Sequence, residues 1–452
     1  MLVSAAALTW AASLPCQDQL EVKSTISGFA NEPMPVAERF DDRVVVKFKV
    51  AYATPTLDAA LDLVGLRRLA TGYGNAFEVI AVPAGTVDAV VAWLSRQSIV
   101  EYAEPDYVAH TMGQMVEALP CEDELAPLPL VPNDTFFSPY QWNFFDQGMV
   151  SGSAVSNYGV NAVTAWNTSS GANVTVAVVD TGVAYESFGS FTQAPDLAGA
   201  TFVSPWNFVS NTAHANDDNG HGTHVAGTVR QSTNNGMGTA GLAYNCRIMP
   251  VKVLNSAGSG SYTAIANGIR WAADHGANVV SMSLGGTSGS TTLSSAVSYA
   301  WNAGCVLCAA SGNTGRNGVN YPARYTQCIA VGATRFDGAK AGYSTYGSGL
   351  DVVAPGGDTA VDQNGDGYGD GILQQTFASG SPTSFSYYFF QGTSMATPHV
   401  AAIAALVKAN KPAYSNAQVR SAIETSCRDL GSSGYDTRFG YGLVNAAAAL
   451  TR

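Results

Sequence analysis

Three short segments carry residue types that act together in nucleophilic catalysis. Asp180 follows a continuous apolar run. His221 lies in the glycine-rich stretch 219–227, and Ser394 lies in the stretch 391–401 at the start of a predicted helix. A serine hydroxyl needs a base to remove its proton, a histidine can be that base, and a carboxylate can orient the imidazole. The combination predicts hydrolysis by an activated serine.

Each segment alone has a simpler interpretation. Asp180 could make hydrogen bonds in a turn, and Ser394 could cap its helix. The spacing of His221 and His224 is also compatible with a metal site. That stretch lacks the glutamate of the H-E-x-x-H motif, however, and no third ligand is evident. Metal catalysis is therefore disfavoured relative to the serine mechanism.

The elements around these segments predict an α/β domain over residues 134–452. Its apolar runs are continuous, as in strands covered on both faces, and lie at 174–180, 248–254, 279–285, 305–310 and 328–333. Helical patterns alternate with these runs, at 262–275, 291–303, 395–410 and 415–427. This alternation predicts a mostly parallel sheet, and reacting groups gather at the carboxyl ends of such strands.

A smaller unit precedes this domain. Strand patterns at 43–50 and 76–82 and helical patterns at 56–69 and 86–98 are followed by a strand-like stretch that ends at His110. This order predicts a small ferredoxin-like α+β domain at 41–110. Residues 111–133 are rich in proline and acidic residues without a sustained period, which predicts a linker.

The catalytic segments resemble a known family. Asp180-Thr-Gly, Asn219-Gly-His-Gly-Thr-His-Val-Ala-Gly and Gly392-Thr-Ser-Met-Ala-Thr-Pro-His are similar to the three boxes of the subtilisin-like serine proteases, which share this chain order. The small unit, which ends in Tyr102-Ala-Glu-Pro-Asp-Tyr, resembles their inhibitory propeptide. The resemblance implies a three-layer subtilisin-like fold and a self-processing zymogen of a serine endopeptidase. Its propeptide would be an intramolecular inhibitor and its substrates polypeptides.

The resemblance also implies roles for individual residues. Ser394 would be the nucleophile, His221 its general base and acid, and Asp180 the group that orients His221. Asn313 would donate its amide to the oxyanion. Substrate would contact two segments and a pocket base, which comprise Ser283, Leu284, Gly285, Gly286, Ser259, Gly260 and Asn320. A catalytically silent binding protein on the same scaffold is the alternative, but all four catalytic residue types are present.

The sequence also indicates calcium binding. Segment 362–373 has oxygen-bearing residues at positions 1, 3, 5 and 9 of an EF-hand-like loop, but Leu373 replaces the usual glutamate at position 12. The expected ligands are Asp362, Asn364, Asp366, Tyr368 and Asp370. A plain acidic turn is the alternative. The family resemblance nominates Asp196 and Asn235 for a further calcium site, and no organic cofactor is expected.

Composition narrows the function class. Only 12% of the 452 residues are charged and the formal net charge is −12, which argues against binding to nucleic acid. Beyond the first residues no apolar run is long enough to span a bilayer. We therefore expect neither a nucleic-acid partner nor a membrane protein, and a monomer is the default.

The N-terminus and the cysteines bear on the compartment. Residues 1–20 are expected to be a leader, because 1–15 resemble a secretory signal although a positively charged start is missing. This predicts a secreted protein. A lipid anchor at Cys16 is an alternative that Pro15 disfavours. Cys305 and Cys308 are expected to be core residues or disulfide partners and not zinc ligands.

Overall fold

The computed structural model describes residues 37–50, 54–62, 64–117, 131–145, 149–151, 154–156 and 158–452. The predicted leader 1–20, with Cys16, lies outside these ranges. The strands are β1 (Arg39–Phe48), β2 (Arg67–Thr71), β3 (Glu78–Ala81), β4 (Val100–Thr111), β5 (Gln114–Glu117), β6 (Met149–Ser151), β7 (Ala154–Ser156), β8 (Thr175–Asp180), β9 (Thr201–Phe202), β10 (Trp206–Asn207), β11 (Arg247–Lys252), β12 (Ser259–Ser261), β13 (Val279–Met282), β14 (Leu284–Gly285), β15 (Val306–Ala310), β16 (Cys328–Thr334), β17 (Val352–Pro355), β18 (Ile372–Phe377) and β19 (Phe385–Gln391).

The α-helices are α1 (Thr54–Asp62), α2 (Val87–Leu94), α3 (Phe137–Tyr140), α4 (Ala162–Ala165), α5 (His221–Arg230), α6 (Tyr262–Asp274), α7 (Thr291–Asn302), α8 (Thr393–Asn410), α9 (Asn416–Glu424) and α10 (Ala446–Leu450). Within the described ranges, none of these helices combines the length and the hydrophobicity needed to cross a bilayer.

The larger unit is built on an eight-stranded sheet. Its order is β10-β11-β8-β13-β15-β16-β17, with β9 also paired to β11. All of these pairs are parallel. The predicted mostly parallel α/β sheet is confirmed, and the carboxyl ends of its strands share one edge.

The two faces of this sheet contribute to different hydrophobic cores. On β8, Val176 and Val178 pack in a core that includes residues of α5 and α8. The intervening Ala177 and Val179 pack in a second core, with residues of α6 and α7. Because successive strand residues point to opposite faces, this alternation places helices on both sides of the sheet. The predicted three-layer architecture is confirmed.

The leading unit has the predicted ferredoxin-like topology. Its antiparallel strands lie in the order β4-β1-β3-β2, and its own core includes residues of α1 and α2. One boundary was wrong, because the helix predicted over 56–69 ends at Asp62 and β2 begins at Arg67. Gly65, with a φ of 72°, turns the chain where the helix stops.

The predicted linker contains a strand. Within 111–133, Gln114–Glu117 forms β5, which pairs antiparallel with β19 in the sheet β18-β19-β5. The pairing is made by the backbone, so a sequence without hydrophobic periodicity can still form it. Residues 118–130 of the predicted linker, with Cys121, lie outside the described residues.

The cysteines in the described ranges are all free thiols, and these are Cys246, Cys305, Cys308, Cys328 and Cys427. Cys305 and Cys308 are buried, and burial raises the pKa of the Cys305 thiol to about 12. Of the two interpretations that the sequence left open for this pair, the structure therefore shows core residues.

Candidate active site

Asp180 and His221 form a buried pair at the carboxyl edge of the sheet. Asp180 is the last residue of β8, and His221 is the first residue of α5. Nδ1 of His221 lies 2.7 Å from Oδ1 of Asp180. The same oxygen accepts a hydrogen bond from the Thr181 N–H at 2.7 Å. A carboxylate in this position favours the tautomer with its proton on Nδ1, which leaves Nε2 as a base.

Asp217 holds the loop that leads to His221, and the sequence analysis missed it. Its Oδ1 accepts hydrogen bonds from the N–H groups of Asn219 and Gly220 and from the Thr181 hydroxyl. Its Oδ2 accepts from the N–H and the hydroxyl of Thr223. An aspartate a few residues before a glycine-rich stretch is a turn or capping signal that could have identified it.

Ser394 is the second residue of α8, where backbone N–H groups are free of helical partners. Its N–H donates to the carbonyl oxygen of Met112 at 3.0 Å, and its hydroxyl donates to the carbonyl oxygen of Ser283 at 3.0 Å. Nε2 of His221 is buried without a hydrogen-bond partner among the described residues. The structure thus does not join Ser394 to His221 by a hydrogen bond, a contact that often tightens only with aligned substrate.

Asn313 borders the same Met112 carbonyl group. Its Oδ1 accepts hydrogen bonds from the N–H of Thr393 at 3.0 Å and from its hydroxyl at 2.9 Å, which fixes the orientation of the amide. Gly392 has a φ of 151°, and a Cβ there would clash with the Met112 oxygen and lie 3.2 Å from Nδ2 of Asn313. The glycine therefore leaves room for the Met112 carbonyl group on the side of Gly392 where the Asn313 amide lies.

The predicted substrate segments lie on both sides of one extended strand. Strand β12, with Ser259 and Gly260, pairs antiparallel with β4. Strand β14, with Leu284 and Gly285, pairs with the last residues of β4 from the other side. Ser283 precedes β14, and Gly286 bridges to Tyr321. Strand β4 therefore occupies the groove between the two segments as an extended peptide would.

Asn320 lies beside this groove, against the backbones of Gly285 and Gly312. Its side chain is buried. A Cβ added at Gly312 would lie 2.9 Å from Nδ2 of Asn320, and one added at Gly285 would lie 3.3 Å from its Cβ. Gly285, Gly312 and Asn320 carry no charge, so the space beside them suits an apolar side chain.

His224 is turned away from the catalytic groove. Its Nε2 lies 2.9 Å from the carbonyl oxygen of Ile372 and 3.1 Å from that of Tyr388. Burial lowers its pKa to about 3, and its ring stacks on Phe390. His224 is thus a neutral core residue, and the structure does not bring it together with His221 as a pair of metal ligands.

The acidic loop at 362–370 is folded around its own carboxylates. Asp362 accepts hydrogen bonds from the N–H groups of Gly365 and Gly367, while Asp366 accepts from the Asn364 amide and the Tyr368 N–H. Oδ2 of Asp370 accepts from the Gln363 N–H. Its Oδ1 is buried and has no hydrogen-bond partner within the described part of the chain.

The charges in this loop are held close together. Burial and the neighbouring carboxylates raise the pKa of Asp366 to about 6 and that of Asp370 to about 7. The described part of the chain contains no group of three or more His, Cys, Asp or Glu side chains placed to hold a metal ion. A cation here would therefore depend on amide and backbone oxygens beside the carboxylates.

Asp196 and Asn235, nominated for a second site, do lie together. Nδ2 of Asn235 donates to Oδ1 of Asp196 at 2.8 Å, and Oδ2 accepts from the Thr239 N–H at 3.1 Å. Burial raises the pKa of Asp196 to about 7. The pair joins the segment before β9 to the loop after α5.

Two acidic residues of β4 contact helix N-termini of the larger unit. Glu104 accepts hydrogen bonds from the N–H groups of Thr291 and Thr292 at 2.8 Å each, at the start of α7. Asp106 accepts from the Thr263 hydroxyl at 3.1 Å, at the start of α6. The Glu104 carboxylate is favourable at the positive end of α7, so the leading unit is bound there by charge as well as by strand pairing. Burial raises the pKa of Asp106 to about 7.

Comparisons with known proteins agree with this architecture. The subtilase family model matches residues 171–442, and the fervidolysin N-terminal prodomain matches residues 30–106. Thermitase from Thermoactinomyces vulgaris is 41% identical over 319 residues, which cover 71% of this chain and 99% of thermitase. A thermophilic serine proteinase from Bacillus sp. (strain AK1) is 36% identical over 411 residues, covering 90% of this chain and 87% of the relative.

A solved structure leads to the same family. It is that of a protease from Pseudoalteromonas arctica PAMC 21717, which matches with a TM-score of 0.62 and 35% sequence identity. The matched region covers 71% of this chain and 99% of the solved one. The chain therefore belongs to the subtilase family of serine endopeptidases and carries a prodomain ahead of its protease domain.

Proposed function

We propose that this subtilase is made as a secreted zymogen and hydrolyses peptide bonds with Asp180, His221 and Ser394. The observation that carries the proposal is the buried 2.7 Å contact between His221 and Asp180, at the edge where Ser394 opens α8. This arrangement supplies an oriented base and a hydroxyl at a positive helix end. Residues 41–110 would be the propeptide, 111–133 the connecting segment and 134–452 the catalytic domain.

Each residue has a defined task in the proposed reaction. His221 takes the proton of the Ser394 hydroxyl, whose oxygen attacks the carbonyl carbon of the substrate. The Ser394 N–H and the Asn313 amide stabilise the negative oxygen of the tetrahedral intermediate. His221 then protonates the leaving amine, and a water molecule hydrolyses the acyl-enzyme by the reverse proton path. Asp180 stabilises the imidazolium throughout.

Substrate would bind as an extended strand between β12 and β14. The backbone of this groove is already paired with β4, so a peptide that replaces β4 can make the same main-chain hydrogen bonds. Asn320 would limit the depth of the first specificity pocket. Polypeptides are the substrates, and the propeptide blocks the same groove until it leaves.

Calcium would stabilise the surface loops of the catalytic domain. The residues present fit such an ion in one respect, since Oδ1 of Asp370 is buried without a hydrogen-bond partner among the described residues and the pKa values of Asp366 and Asp370 are raised. Asp362, Asn364, Asp366, Asp370 and the Tyr368 backbone would hold it. Asp196 and Asn235 are the candidates for a second ion. Bound calcium would neutralise the acidic loop and so oppose its unfolding.

The proposed mechanism is tested with the Ser394→Ala variant. We expect the purified wild-type protein to cleave peptide amides and to be inactivated by a serine-directed phosphonate that labels Ser394. The Ser394→Ala precursor should stay intact in the absence of another protease. Activity in that variant, or loss of wild-type activity with a zinc chelator alone, would contradict the serine mechanism. Peptide binding without any turnover in the wild type would favour the silent scaffold.

The proposed secretion is tested separately. Residues 1–15 have the composition of a signal segment, and the first twenty residues would be removed on export. Expression of the full chain with and without residues 1–20 should place only the full chain outside the cell. Equal amounts of both forms in the medium would contradict a leader at this position.

A further inference from the structure

One continuous segment of the chain lies across the catalytic groove. Residues 108–111, at the end of β4, pair with β12 on one side and with β14 on the other. Three residues after β4, β5 begins and pairs with Tyr388–Gln391 of β19, which leads directly to α8. Strand pairing therefore holds this segment both before and after it passes Ser394.

Between the two paired stretches, the carbonyl group of Met112 faces the nucleophile. The Ser394 N–H donates to the Met112 oxygen at 3.0 Å, and the Met112 N–H donates to the Ser283 oxygen at 3.3 Å. Asn313 borders the same oxygen. The next residue, Gly113, lies against His221, since a Cβ added there would be 3.0 Å from Nε2. The 112–113 amide is thus the bond that the site presents to its own reacting groups.

We propose that the Met112–Gly113 peptide bond is the one this protein cuts to release its prodomain. The proposal rests on the proposed serine mechanism and assigns its first substrate. Ser394 Oγ would bond to the Met112 carbonyl carbon, while the bond to the Gly113 nitrogen breaks and His221 transfers the serine proton to that nitrogen. One water molecule then hydrolyses the ester, which leaves a Met112 carboxylate, a Gly113 amine and a free serine.

The side chains around this bond define a preference. A Cβ added at Gly285 would lie 3.4 Å from Cε of Met112 and 3.3 Å from Cβ of Asn320, so the methionine side chain extends toward Asn320. Ala109 is fully buried in the core that contains Leu254 and Tyr262. The bond cut would therefore follow a long apolar residue, with a small residue three positions earlier.

Gly113 adds a restriction on the other side of the bond. A Cβ there would meet both Nε2 of His221, at 3.0 Å, and Sδ of Met395, at 3.3 Å. Larger side chains would have to displace the histidine that acts as base. The glycine after the cut is thus part of what makes this bond the first to react.

The test determines the C-terminus of the released prodomain. Refolded precursor is quenched with acid at successive times, and the small fragment is identified by mass spectrometry. We expect it to end at Met112 from the earliest time at which it appears. Later cuts within 113–133 shorten the large fragment but leave this terminus unchanged. A first fragment that ends at another residue overturns the assignment.

Variants separate this assignment from the mechanism. Met112→Asp, which brings a charge to an apolar pocket, should slow processing at least 100-fold, whereas Met112→Leu should stay within a few-fold of wild type. Ile99→Asp is the control, because Ile99 is 50% exposed in the prodomain and away from the groove. Equal rates for Met112→Asp and Ile99→Asp would overturn the proposal.

The Ser394→Ala precursor distinguishes the two possible failures. If it stays intact while the wild type cuts at another bond, the Met112–Gly113 assignment fails and the serine mechanism stands. If it releases the prodomain when no other protease is present, the proposed mechanism itself fails. An intact variant together with a wild-type fragment ending at Met112 supports both.

Discussion

Nδ1 of His221 and Oδ1 of Asp180 are 2.7 Å apart although 41 positions separate the two residues in the chain. Asp180 is fully buried and His221 almost so. Water therefore cannot replace the carboxylate as the partner of the imidazole, and the tautomer of His221 depends on Asp180.

Asp180→Asn should accordingly lower kcat about 10⁴-fold with little change in KM, the loss typical of serine proteases with this triad, because the amide favours the wrong imidazole tautomer. The measurement is steady-state hydrolysis of a peptide amide by variant protein whose prodomain was removed by the wild-type enzyme. The exposed Asp274→Asn serves as the control. A variant that retains a tenth of wild-type kcat would argue against this role.

Asn313→Leu should lower kcat and kcat/KM together, since the lost donor acts on the oxyanion and not on the bound substrate. We expect a loss of kcat of about 10²–10³-fold, which is the magnitude known for removing the corresponding donor in a subtilisin. Thr393→Val removes the hydroxyl hydrogen bond that helps to orient the Asn313 amide, but it keeps that amide as the donor to the oxyanion. A smaller loss of kcat, about 10-fold, is therefore expected. A rise in KM alone would contradict the oxyanion role.

Glu104→Ala should weaken inhibition by the cleaved prodomain. Its carboxylate accepts hydrogen bonds from two backbone N–H groups and the Ser290 hydroxyl at the start of α7, and losing a charge-assisted contact of this kind costs about 1.5–3 kcal/mol. We expect roughly 100-fold weaker inhibition, measured as a shorter lag between processing and full activity. Glu101→Ala, on the outer part of the same strand, is the matched control. Equal lags would contradict the contribution of Glu104.

Calcium should stabilise the protein more strongly at pH 8 than at pH 5. Without metal, the raised pKa values of Asp366 and Asp370, about 6 and about 7, mean that the folded protein binds protons more tightly than the unfolded chain. Their contribution to folding is therefore fully present below about pH 4 and is lost as the pH rises through about 7. Calcium binds the ionised carboxylates and restores stability.

The measurement is the Tm of the Ser394→Ala protein with calcium or with a chelator, because this variant avoids autolysis. Calcium at 100 times its Kd should raise Tm by about 3–4 °C at pH 8 and much less at pH 5. Asp370→Asn should flatten the pH dependence in chelator, which separates this loop from other buried carboxyls such as Asp196. Identical Tm values with and without calcium at pH 8 would contradict a calcium site.

The buried strands and helices of the protease domain were predictable because their patterns are local. The apolar run at 174–180 corresponds to β8, and the helical pattern at 262–275 corresponds to α6. Strands covered on both faces have continuous apolar runs, and a helix with one buried face repeats its apolar residues every three to four positions. Neither pattern needs information from elsewhere in the chain.

The errors occur where structure depends on partners that are distant in sequence. β2 was assigned to the end of a helix, although its residues pair with β3. β5 was assigned to a linker, although its backbone pairs with β19. Asp217 was missed because its role consists of hydrogen bonds to residues such as Thr181 and Thr223 that no short pattern links to it.

The sequence by itself determined the residue types able to perform the chemistry, their order along the chain and the class of fold that carries them. Only the tertiary structure decided that Asp180 contacts His221 and that the Met112 carbonyl group faces the Ser394 N–H. The physical reason is that strand register and helix position are set by long-range packing and backbone hydrogen bonds. Such contacts join segments whose separate sequences show no trace of the pairing.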